Sequence, residues 1–141
     1  MPRILAIDYG QKRVGLAVTD PLQITANGLD TVPSGEIFAY LKDYCAREDV
    51  VCFVVGWPLD LKGQEAESMR FVAPFVKALG RKFPDISIEK VDERFTSKMA
   101  SQAILMSGLK KKARQNKGLV DKVSAIIMLQ SYLDARQSPL P

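Results

Sequence analysis

The sequence predicts an α/β fold in which an antiparallel three-strand meander leads into strands joined by helical crossovers. Three observations carry this. The apolar run Ile4-Leu5-Ala6-Ile7 breaks at Asp8 and Gly10 and resumes from Val14 to Val18, the pattern of two paired strands. A second run, Val50 to Val55, is apolar throughout and ends in Gly56, as a strand covered on both faces does. A helical pattern precedes that second run, so a βαβ crossover is expected.

Taken in order, Asp8 closes the first strand, and a carboxylate there is costly unless paired, hydrogen-bonded or bound to a metal. Gly10 lets the backbone bend closely around whatever Asp8 holds. A plain turn-forming aspartate is the ordinary alternative, weighed equally on this stretch alone. Thr19-Asp20-Pro21-Leu22 reads as a turn, and Gln23 to Val32, with Ile24, Ala26, Leu29 and Val32, as a third, partly edge strand. Pro33-Ser34-Gly35 ends it. Ser34 is expected to cap a helix from Glu36 to about Arg47, with Ile37, Phe38, Leu41 and Cys45 inward and Glu36, Lys42, Asp43 and Arg47 in solvent.

The Val50–Val55 strand is expected to be parallel and central, followed by the loop Gly56-Trp57-Pro58-Leu59-Asp60-Leu61-Lys62-Gly63 at its C-terminal end, where open α/β sheets place ligands. Packing over the sheet edge is preferred to base stacking for Trp57, and a turn role to a ligand role for Asp60. Glu65 to Phe83 forms a second helix on Met69, Val72, Val76, Leu79 and Phe83, with Pro74 expected to kink or split it. Ile86 to Val91 is the fifth strand and runs into Asp92-Glu93-Arg94. Because side chains alternate across a sheet, at most one of Asp92 and Glu93 joins Asp8, and the local sequence does not choose. The other acid pairs with Arg94 or caps the next helix; a solvated acidic turn is the commoner fate.

A third helix is expected from about Ser97 to Met106. From Leu109 to Gly118 the chain turns basic, with Lys110, Lys111, Lys112, Arg114 and Lys117 among eight residues. This flexible loop, at about 109–118, reads either as a solvated connection or as a contact to phosphates, and the nearby acids favour the second. The last helix starts near Leu119, is apolar nearly all round and is expected to be largely buried. Asp121 in its first turn complements the helix dipole, but Ser124, Ala125 and Met128 beside it make a face where a carboxylate wants a partner.

Composition narrows the chemistry. The 141 residues, 47% hydrophobic and 26% charged, fit one domain spanning 1–141. No apolar run nears the roughly 20 residues of a membrane span, and Met-Pro-Arg opens no secretory signal, so a cytoplasmic protein is expected. Cys45 and Cys52, the only cysteines, read as reduced thiols. Histidine is absent, which excludes Ser-His and Cys-His nucleophiles and His-ligated metals. A net charge of +4 and a pI near 9.1 favour polyanionic partners.

Three acids at element ends feeding one sheet edge suit a hard divalent cation with oxygen ligands. Two such ions about 3.5 to 4 Å apart catalyse phosphodiester hydrolysis. An Asp-x-Gly hairpin also opens actin-like ATPases and sugar kinases, but those need two such domains and this chain holds one. A noncatalytic RNA- or ribosome-binding module is the other alternative.

Asp8-Tyr9-Gly10 with Lys12-Arg13-Val14-Gly15, Gly56-Trp57-Pro58 with Gly63, Asp92-Glu93-Arg94-Phe95-Thr96-Ser97, and Asp121-Lys122 resemble the YqgF family across essentially the whole chain. That family is described as Holliday-junction-resolvase-like and as a nuclease for pre-16S ribosomal RNA. The resemblance implies a ribonuclease-H-like five-stranded mixed sheet flanked by helices. It also implies Asp8, Glu93 and Asp121 as catalytic and metal-holding acids, with Mg²⁺ or Mn²⁺ as cofactor, and it prefers Glu93 to Asp92. Lys12, Arg13, Arg94, Lys110, Lys111, Lys112, Arg114 and Lys117 are the expected phosphate contacts. Structured RNA is the expected partner, with the ribosome or its precursors, and branched DNA is the alternative. The acid set is sparser than that of junction resolvases, which weighs against junction cleavage.

Overall fold

A computed structural model describes residues 2–20, 22–57, 69–92 and 117–137, with the backbone alone for 92, 117–121, 136 and 137. The elements are β1 (Arg3–Tyr9), β2 (Arg13–Thr19), β3 (Ala26–Pro33), α1 (Ile37–Arg47), β4 (Val50–Trp57), α2 (Met69–Lys82), β5 (Ser87–Asp92) and α3 (Lys117–Gln137). The sheet order is β3-β2-β1-β4-β5. β1 pairs antiparallel with β2, and β2 with β3; β1 and β4, and β4 and β5, pair in parallel. This is the expected meander plus two parallel strands, with β4 inside the sheet and β3 at its edge.

The period-2 alternation of the strands sorts their side chains into two cores. Leu5 and Ile7 of β1 with Phe53 and Val55 of β4 pack against α1 and α2 through Ile37, Leu41, Tyr44, Met69, Val72, Phe75 and Leu79. Ile4 and Ala6, Ala17 of β2, and Cys52 and Val54 pack against Ala125, Met128, Leu129 and Leu133 of α3. β1 and β4 are apolar without interruption because each serves both layers.

Several local expectations change. Ser34 does not cap α1: its hydroxyl donates to the Gln11 carbonyl at 2.6 Å, and a single 3₁₀ turn over Ser34–Glu36 leads into the helix instead. Tyr44 takes the inward place and Cys45 is half-buried, which raises the thiol pKa; both cysteines are free. β3 begins at Ala26, so Ile24 lies in the preceding loop and is exposed. There the Asp20 carboxylate accepts from the backbone N–H of Thr25, Ile24 and Leu22, which lowers its pKa. α2 runs unbroken through Pro74, which sits on its exposed side, where water can hydrate the carbonyl that loses its N–H partner. Phe75 is buried in the core, and Val76 packs half-buried against it. α3 buries one stripe only, with Val123, Ile126 and Ile127 half-buried, because a single helix lying over β1, β2 and β3 offers the sheet one side.

At the start of β1 the register with β4 shifts between Arg3 and Ile4, and the Ile4 N–H donates to the buried Thr19 hydroxyl at 2.9 Å. Thr19→Val keeps the shape and removes the acceptor. Urea unfolding is expected to show a loss of about 1–3 kcal/mol, the cost of an unsatisfied buried donor.

Candidate active site at the C-terminal edge of the sheet

Asp8 is the penultimate residue of β1 and half-buried. Tyr9 stacks on Phe75 with ring centroids 4.1 Å apart, so alternation puts Asp8 on the other face with Ile4 and Ala6, under the α3 layer. Its partner across the β1–β2 ladder is Gly15. On the other side Ile7 pairs with Val55, and the next residue of β4 is Gly56. The positions level with this carboxylate on both flanking strands are therefore glycines. The strand register that sets these glycines on either side of Asp8 was invisible before the fold was known.

The turn after Asp8 is tight. The Gly10 N–H donates to the Arg13 carbonyl at 2.9 Å, and a Cβ at Gly10 would stand 2.6 Å from that oxygen. Ser34 holds the tip, its N–H donating to the Lys12 carbonyl at 3.0 Å and its hydroxyl to that of Gln11. Lys12 is exposed and Arg13 half-buried, so the hairpin carries cations next to Asp8 from a fixed position. Gly10→Ala is expected to lower stability by about 1–3 kcal/mol, as overpacking against backbone does, with a drop in denaturation midpoint as the check.

α3 brings its N-terminal end toward this edge. Tyr132 shares a cavity with Ile4, at the far end of β1, whereas Lys122 and Ile126 lie over Gly28, whose partner Ala17 pairs with Ala6. The helix starts at Lys117 rather than Leu119, so Lys117 and Gly118 belong to it and not to the basic loop. Asp121 consequently opens the second turn instead of sitting in the first, and the dipole account of it weakens, because that field fades beyond the first turn. Asp92 ends β5 in register with Trp57, which puts its backbone at the same edge. Glu93, Arg94, Lys110, Lys111, Lys112 and Arg114 lie outside the described residues, as do Asp60, Gly63 and the expected third helix. Among the described residues no three of His, Cys, Asp and Glu converge, so Asp8 is the acid whose surroundings can be read.

Trp57 is half-buried against the α1–α2 core, the packing role expected of it. Sequence reasoning missed the cation that covers it: Lys90 Nζ stands 4.2 Å from the indole centroid. The signal was available, since Lys90 follows Ile86 and Ile88 on the parity that otherwise faces the core. Among the described residues no helix is long and apolar enough to cross a membrane.

A family model described as RuvX, Holliday junction resolvase, matches residues 2–135. A protein of Phocaeicola vulgatus named "Putative pre-16S rRNA nuclease" is 56% identical over 137 residues, covering 97% of this chain and 99% of its own. Proteins of the same name from Flavobacterium johnsoniae and Parabacteroides distasonis are 54% identical over 137 residues and 53% over 140, spanning 97% and 99% of this chain and 99% and 100% of theirs. The structure of T. thermophilus RuvC in complex with Holliday junction substrate aligns with a TM-score of 0.60 over 96% of each chain at 18% identity, a likeness of ribonuclease-H-like fold. With the family model spanning nearly the whole chain and relatives above half identity along it, this protein belongs to the RuvX family.

Proposed function

We propose that the chain, as a single nuclease domain over 1–141, is a cytoplasmic metal-dependent endonuclease that hydrolyses phosphodiesters during maturation of pre-16S ribosomal RNA. The observation that carries this is Asp8, a half-buried carboxylate at the C-terminal edge of the parallel strands, with glycines on both neighbouring strands and the cationic hairpin beside it. A carboxylate flanked by glycines, in a chain without histidine, offers oxygen ligation of the kind a hard cation takes, so the residues present fit Mg²⁺ or Mn²⁺. The relatives' name points to the RNA substrate.

Asp8, Glu93 and Asp121 are the acids we assign to the cation. Glu93 is preferred to Asp92 on the family resemblance, and in keeping with that Asp92 stands in register with Trp57, which packs on the α1–α2 side, the face opposite Asp8. Support for Asp121 comes from helix spacing, four residues before buried Ala125 and seven before buried Met128. When bound, divalent metal supplies an activated water and charge neutralisation at the leaving oxygen. Lys12, Arg13, Arg94 and the basic segment Lys110, Lys111, Lys112, Arg114 and Lys117 hold the phosphate backbone against the edge, and Gly10 and Ser34 keep the hairpin cations in place.

The test is cleavage of end-labelled pre-16S RNA and of a four-way DNA junction in Mg²⁺, Mn²⁺ or EDTA. Metal-dependent cutting of the RNA is the expected result. Cutting of the junction alone moves the function to recombination, and tight binding without cutting leaves a binding module.

A further inference from the structure

Lys90 lies on the face of the sheet opposite Asp8, where Ile86 and Ile88 before it turn toward α1 and α2. Its backbone pairs with Val55, level with Ile7, yet its ammonium reaches along the sheet to the ring of Trp57, the last residue of β4. The side chain is thereby aimed at the C-terminal edge. A contact with the face of a half-buried indole accounts for where the ammonium sits but does not require a lysine where strand parity calls for an apolar residue. The indole covers one side of the ammonium. Lys90 is exposed, and among the described residues no carboxylate forms a salt bridge with it.

We propose that Lys90, positioned by Trp57, is a phosphate contact that fixes the path of the substrate strand across the C-terminal edge. This rests on the nuclease reading above and adds a direction to it. The hairpin cations stand at the β1–β2 turn, on one side of Asp8; β5 lies two strands away on the other, about 10 Å from β1. A polynucleotide held at both places runs transversely to the strands and over Asp8, with its far end bending toward the α1–α2 face. Lys90 binds a phosphate away from the bond that is cut.

The experiment is a titration of a fluorescently labelled pre-16S RNA fragment in EDTA, from 50 to 200 mM salt, with wild type, Lys90→Ala, Lys90→Arg and Trp57→Phe. Lys90→Ala is expected to weaken binding and to reduce the slope of log affinity against log salt by about 0.7–0.9, one phosphate contact, so that the affinity lost over this range is about threefold smaller than for wild type. Lys90→Arg and Trp57→Phe, which keep a cation and a ring, are expected to retain the wild-type slope. Unchanged slope and affinity in Lys90→Ala, at an unchanged melting temperature, overturn the assignment and leave the nuclease reading intact. Absence of salt-dependent binding by wild type overturns both.

Discussion

Asp8→Asn is expected to lower turnover on pre-16S RNA by about a thousandfold while the melting temperature and RNA affinity stay near wild type. The replacement is isosteric and removes one charge. At the C-terminal edge of β1 the residues level with it are Gly15 on one side and Gly56 on the other, so neither position supplies a second carboxylate to substitute for it. Charge stabilisation through a held cation amounts to several kcal/mol, and about 4 kcal/mol corresponds to three decades in rate. Binding depends instead on the hairpin and other cations, which the substitution leaves alone. Single-turnover cleavage with a parallel thermal scan separates the outcomes. Wild-type turnover sinks the catalytic role of Asp8, and a collapsed melting temperature makes the carboxylate structural.

Phe53→Ala is the largest expected loss of stability, about 3–5 kcal/mol. Phe53 is fully buried at the centre of β4, between the strands that carry Asp8 and Asp92, and meets Phe83 edge-on with centroids 5.4 Å apart and planes at 81°. Truncation removes the ring from a layer that α1 and α2 cannot close over, because each is already locked by its own contacts, Leu41 and Leu79 among them. Against a total of about 5–15 kcal/mol this is a third or more of the fold. Urea unfolding should show a fall in midpoint at constant slope; a change below about 1 kcal/mol would mean that the two helices repack. Activity is expected to fall together with the folded fraction, unlike the Asp8 variant, whose fold survives.

Burial on two faces made β1 and β4 legible in the sequence, since only a strand packed on both sides carries Ile4-Leu5-Ala6-Ile7 or Val50 to Val55 without a polar break. The hairpin was legible for a related reason, because Gly10 interrupts two β-forming runs at the one place where a side chain would strike Arg13. Helix ends were less so. Ser34 has the chemistry of a cap, but its hydroxyl found the Gln11 carbonyl, 23 residues back, and no local pattern reports a partner that far away. Pro74 read as a break, and its exposure on α2 let the helix continue through it.

Asp8 as a candidate was determined by sequence alone, as a carboxylate ending an apolar strand, and so was the exclusion of histidine chemistry. Only the tertiary structure decided what surrounds it. Register placed Gly15 and Gly56 on either side, the stacking of Tyr9 on Phe75 told which face Asp8 occupies, and the course of α3 brought its N-terminal end toward the same edge. Lys90 over Trp57 belongs with these. Each depends on which strand lies next to which, and pairing between distant segments is a property of the assembled sheet that a period of two, read along one segment, does not contain.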